Sequence, residues 1–132
     1  MSKYPYRQDR EEIKALLQQF DNLKAGKSNS FIEEDSFERI IDYFDEKEQL
    51  NQALEVAEYG TEQYPYSSML LLKKADILIA LRHYKEALFV LDQAELLDSR
   101  DTNLFILKTD ASLALDMQQQ AADVPEAAMH DI

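Results

Sequence analysis

The chain has 132 residues, 45% of them hydrophobic, which suits one domain with a core of its own. Two Gly and three Pro in a sequence rich in Ala, Leu, Glu, Gln and Lys point to an all-α protein and away from a loop-rich or all-β one. The absence of Cys excludes disulfides, thiolate metal sites and a Cys nucleophile, and a net charge of −12 disfavours nucleic acid and anionic membranes as partners.

The charge is uneven. Residues 1–32 hold six Lys/Arg and four Asp/Glu, whereas residues 33–132 hold eight and 22. Met1 to Arg10 is polar, without the apolar stretch of a signal peptide, and no apolar run approaches the ~18 residues of a membrane span. These features lead to an expectation of a soluble, cytoplasmic protein.

Residues 1–8 read as a loose start around Pro5. Ile13, Leu16, Leu17, Phe20 and Leu23 then recur at steps of three and four, the stripe of an amphipathic helix. Asp9 is placed to cap it, Glu11 and Glu12 suit its first turn, and Gly26 suits its end. Lys27 to Ser30 reads as a linker. A second helix is predicted from Ile32 to Glu46, with Ser30 and Glu33 at capping-box spacing and an apolar face of Phe37, Ile40, Ile41 and Phe44. A third is predicted from Leu50 to Tyr64, stopped by Pro65. Ser68 to Leu81, Tyr84 to Leu97 and Thr102 to Leu115 are the fourth, fifth and sixth. Gln118 to His130 is a less regular seventh, in which Pro125 predicts a break or a late start, since proline inside a helix costs ~3 kcal/mol. Short connections make consecutive helices antiparallel neighbours.

A shift of 34 residues brings the sequence onto itself. Ala53, Ala87 and Ala121 align, as do Val56, Val90 and Val124, and Asp42, Asp76 and Asp110. Phe37, Leu71 and Phe105 form a large apolar column, and Gly60, Ala94 and Ala128 a small one. Small residues let helix backbones approach, large ones fill the space between hairpins, and stacked neighbours bury what one hairpin cannot. Residues 68–101, with Leu71, Ala75, Leu78, Tyr84, Ala87, Leu91 and Ala94, resemble the tetratricopeptide repeat. Residues 34–67 follow the pattern with Phe37, Phe44, Leu50, Ala53, Ala57, Gly60 and the closing Pro65. The departures are a missing Trp, Ser99 in place of a closing proline, and a small-residue column that reads Ile41, Ala75, Thr109.

The resemblance implies a right-handed α-solenoid of antiparallel helical hairpins with an extra N-terminal helix. It divides the chain into a tail and leading helix over 1–30, repeats over 31–67 and 68–101, and a partial third repeat over 102–132, all one continuous domain. The incomplete third repeat raises the expectation of a longer array or of self-association through the C-terminal repeat edge.

Candidate chemistry is sparse. His83 sits in a turn, and Glu126 with His130 falls short of the ligand number a metal site needs. There is no phosphate-binding glycine loop and no nucleophile elbow. The expectation is therefore no enzyme activity, no cofactor and no metal, with a carboxylate-based hydrolase as the remote alternative. Tyr59, Tyr64 and Tyr66 read as packing around Pro65, and Tyr4 with Tyr6 as a separate cluster.

By the resemblance, the first helix of each hairpin lines a concave groove. Its walls would carry Glu38, Asp42 and Asp45, then Met69, Leu72, Asp76 and Ile79, then Asn103, Ile106, Asp110 and Leu113. Some family members hold a peptide carboxylate with Lys and Asn in these columns. Here Asp42, Asp76 and Asp110 replace that Asn, and Glu38, Leu72 and Ile106 stand where the Lys would be. The expected ligand is a protein or peptide with a basic and an apolar segment. The alternative is an accessory or self-associating module of a larger repeat protein with no free-peptide ligand. The aspartates serve equally well as structural partners for Lys73, Lys74 or Lys108.

Overall fold

A computed structural model of the chain describes residues 9–27 and 31–130, with side chains to residue 122. The described residues form six helices: α1 (Arg10–Lys24), α2 (Glu34–Glu46), α3 (Leu50–Gln63), α4 (Ser68–Ala80), α5 (Tyr84–Leu97) and α6 (Thr102–His130). The protein is all-α. The starts of α2, α4 and α6 fall 34 residues apart, and so do those of α3 and α5.

Local chemistry sets the helix ends. Asp9 caps α1, its carboxylate accepting from the Glu11 and Glu12 N–H groups at 2.9 and 3.2 Å. Ser67 caps α4 by accepting from the Leu70 N–H at 3.1 Å, and its hydroxyl donates to Glu34 Oε1 at 2.6 Å, tying the starts of α2 and α4 together. The expected Ser30–Glu33 capping box falls partly outside the described residues. Glu33 is the N-cap of α2 and makes no side-chain cap bond. Ile32, expected as the first helical residue, is instead buried ahead of the helix. Its carbonyl accepts from Tyr64 Oη at 2.8 Å and from Gln63 Nε2 at 2.9 Å.

The same turn closes α1, α2 and α4. Gly26, Glu48 and Arg82 each have positive φ (72°, 58° and 66°). The residue after each returns its N–H to the carbonyl five positions back: Lys27 to Asn22, Gln49 to Phe44, His83 to Leu78. These are Schellman closures.

Between the helices lie two hydrophobic clusters. One gathers Phe20, Ile32, Phe37, Ile40, Ala53, Val56 and Leu70, and the other Leu71, Ala75, Leu78, Ala87, Leu91, Leu104 and Ala111. Leu54 packs against both. Each large side chain fully buried in this way contributes about 1.5–3 kcal/mol. α1 covers the outer side of the first hairpin. Phe20 meets Tyr59 edge to face at 5.4 Å, and Arg39–Glu12 and Lys24–Glu55 ion pairs at 2.8 and 3.2 Å fasten it to α2 and α3.

The third hairpin departs from expectation. The sixth and seventh predicted helices are one helix of 29 residues, Thr102–His130, and the backbone passes through Pro125 without a break. Asp116, one period after Arg82, is helical. No glycine marks this stretch, and Met117 to Ala122 are mostly strong helix formers. The columns that reward a turn by packing also fade: Leu50 and Tyr84 are followed by Gln118, Leu54 and Leu88 by Ala122, Ala57 and Leu91 by Pro125. A turn through a non-glycine left-handed residue costs about 1–2 kcal/mol, and here little burial offsets it.

Candidate partner groove

α2, α4 and α6 are the first helices of their period, and α4 packs against each of the other two. Where they meet lies a depression of about 540 Å³. Glu38, Asp42 and Asp45 line it from α2, Met69, Leu72 and Asp76 from α4, and Asn103 and Ile106 from α6. Three of the expected residues lie outside it. Ile79 is half-buried against the second cluster, while Asp110 and Leu113 are exposed further along α6. Ile41, Ile77 and Leu107 form part of the floor, and Ser68, Lys73 and Asp101 complete the wall.

The three aspartates of the column have different surroundings. Asp42 is 1% exposed. Its Oδ1 accepts from Lys73 Nζ at 2.6 Å, and Lys73 also lies 3.6 Å from Glu38 Oε2. Asp76 and Asp110 are exposed. Lys73 stands 31 positions after Asp42, and the residue at the same offset from Asp76 is Leu107, so the pair does not repeat. Lys108 turns the other way, to Glu95 at 2.6 Å and Asp92 at 3.1 Å on α5. The hydrogen bonds it donates to Glu95 first, then to Asp92, raise its pKa above the ordinary 10.5, against a lesser opposing effect of desolvation. Lys74 lines a second depression of about 520 Å³ between α3, α4 and α5.

The wall of the first depression thus carries five carboxylates (Glu38, Asp42, Asp45, Asp76, Asp101) against the single ammonium of Lys73. Asp42 and Glu38 both face Lys73, and the acids of this wall stand beside the apolar Met69, Leu72 and Ile106. Asp101 was not among the expected groove residues. Its signal in the sequence is the 34-residue column Glu33, Ser67, Asp101, which marks helix starts. Its Oδ1 accepts from the Asn103 N–H at 2.8 Å.

The remaining candidates are dispersed. His83 is exposed at the start of α5, with Nδ1 4.0 Å from Glu86 Oε1. The side chains of Glu126 and His130 and the pair Tyr4 and Tyr6 lie outside the described residues. Tyr64 packs edge to face on Phe37 and Phe31 with centroids 6.1 and 6.4 Å away, whereas Tyr66 is exposed. Among the described residues no helix is long and apolar enough to cross a membrane. Comparison of the chain with protein-family models, curated proteins and solved structures finds no match.

Proposed function

We propose that this protein is a cytoplasmic interaction module of stacked, tetratricopeptide-like hairpins. Its groove between α2, α4 and α6 receives a peptide or helix with a basic end followed by an apolar segment. One observation carries the reading: Asp45, Asp76 and Asp101 share a single depression with Met69, Leu72 and Ile106. Carboxylates in a partly dehydrated concavity attract Lys or Arg and steer their approach, while the apolar wall rewards burial of aliphatic side chains. A ligand ending in a carboxylate is disfavoured, because Glu38, Leu72 and Ile106 stand where a clamp would need cations.

The test is fluorescence anisotropy with labelled peptides that share an apolar segment and differ in their flanking charge. Peptides with a basic flank bind, and their affinity falls as salt rises because the attraction is screened over about 10 Å at 0.1 M. Equal binding of acid-flanked peptides would overturn the reading.

A further inference from the structure

The second half of α6 is a hairpin arm without its hairpin. Residues 102–114 repeat the first helices α2 and α4, and residues 118–130 repeat the second helices α3 and α5, yet both lie in one continuous helix. The residue at the expected turn, Asp116, falls at the middle of that helix.

The open arm leaves a specific gap. Phe37 and Leu71 are 0% and 5% exposed. Phe37 lies against Gly60 of the following helix, where an added Cβ would come within 3.2 Å of its ring. Phe105 occupies the same column of α6 and is 56% exposed. The next positions of that face behave alike: Ile41 and Ala75 are buried, whereas Thr109 is exposed. The opposite face of α6 is packed as in α4, since Leu104, one period after the buried Leu70, is itself buried. The uncovered strip is therefore the one that a second helix of the third hairpin would close.

That missing helix exists in the sequence. Ala121, Val124 and Ala128 continue the columns Ala53/Ala87, Val56/Val90 and Gly60/Ala94, all of which are buried in α3 and α5. Extended as they are along α6, they cannot fold back onto Phe105 of the same chain. A second copy supplies them. Two antiparallel α6 helices crossing near Asp116 bring residues 118–130 of each copy onto residues 102–114 of the other.

We propose that the protein forms a reciprocal, arm-exchanged dimer through α6, each copy completing the third hairpin of its partner. Opening a hairpin into one straight helix and exchanging the arm preserves the contacts of the closed form and adds the link between copies. The exchange is reciprocal, so both arms of a pair are used and the pair closes on itself without a filament. The contact on each side is modest because Gln118 and Ala122 replace large apolar residues, but symmetry makes it twice.

Analytical ultracentrifugation of the full chain, compared with Asp116→Gly, tests the exchange. Glycine at the crossing point weakens the straight helix and eases the left-handed turn that closes the hairpin within one chain. The expected result is a dimer for the natural chain and a dissociation constant raised by about tenfold or more in the variant. A natural chain that stays monomeric at every attainable concentration, or an unchanged constant in Asp116→Gly, would overturn the proposal. Because the chain has no cysteine, the variant carrying Phe105→Cys and Ala128→Cys gives a second readout. Oxidation of its dimer should yield a covalently joined pair of chains, whereas a link within one chain contradicts the exchange. Peptide binding in the groove is measured separately, so failure of either reading leaves the other standing.

Discussion

Asp42 Oδ1 accepts from Lys73 Nζ at 2.6 Å across the contact of α2 with α4, and the same offset one period later leads from Asp76 to Leu107. An identical aspartate column thus divides into a buried structural anchor and exposed acids. Replacing Asp42 by Ala leaves the half-buried Lys73 ammonium without its closest carboxylate. The expected cost is about 2–3 kcal/mol, read from the urea midpoint at unchanged slope. Asp110→Ala, on the exposed face of α6, should change stability by no more than about 0.5 kcal/mol.

At Gly60 two effects oppose each other. Alanine gains about 1 kcal/mol of helix propensity, but its Cβ would stand 3.2 Å from Phe37 Cγ and 3.4 Å from Leu70 Cδ1. Phe37 is wholly buried and has no space to yield, and overpacking of this kind costs about 1–3 kcal/mol. Gly60→Ala should lower stability by about 1 kcal/mol net. The following period pairs the same two columns as Leu71 and Ala94. Phe37→Leu combined with Gly60→Ala should therefore lose less than the sum of the single changes, by about 1 kcal/mol in a double-mutant cycle.

Sequence periodicity read well where burial follows from spacing alone. The helix starts at Ser68 and Thr102 and the cap at Asp9 are where the sequence signals them, and the 34-residue step anticipates the buried Ala53, Val56, Ala87 and Val90. It fails where the outcome depends on a partner elsewhere in the chain. Asp42, Asp76 and Asp110 share a letter and a register, yet Asp42 is buried against Lys73 while Asp76 and Asp110 are exposed. The third hairpin was illegible for a related reason. Glu48 and Arg82 are ordinary residues whose left-handed turns are sustained by the packing of α3 and α5, and that reward declines with Gln118 and Ala122. The Ser30–Glu33 spacing predicts Ile32 inside the helix, but its carbonyl is taken by Gln63 and Tyr64 ahead of it. Groove residues near the starts of α4 and α6 come together. Ile79, Asp110 and Leu113 do not, since they lie further along their helices.

The left-handed residues offer a route to higher stability. Glu48 and Arg82 hold φ of 58° and 66° with a Cβ that this conformation disfavours. Glu48→Gly and Arg82→Gly should each raise stability by roughly 0.5–1 kcal/mol. Gly26→Ala, at φ 72°, should lower it by about 1 kcal/mol for the same reason. Thermal melts of the three variants check the signs.

Lys108 gives the protein a stability term at alkaline pH. Its folded pKa lies above 10.5 because Glu95 and Asp92 favour the charged form. The term is fully present below the unfolded value and is lost as pH rises through the folded one. Lys108→Met should cost about 0.5–1 kcal/mol near neutrality, since Asp92 is exposed and Glu95 only half-buried. The difference between the two proteins should vanish above the folded pKa of Lys108, as followed by urea melts across the alkaline range.

The groove itself is tested most directly by titrating one basic-flanked, apolar peptide against Asp76→Asn and Asp110→Asn in parallel. Asp76 lines the depression and Asp110 stands outside it, although both belong to one sequence column. The account predicts affinity about tenfold weaker in Asp76→Asn, a loss of about 1.4 kcal/mol that shrinks with added salt, and no change in Asp110→Asn. Equal affinities for both variants and the natural chain would contradict it.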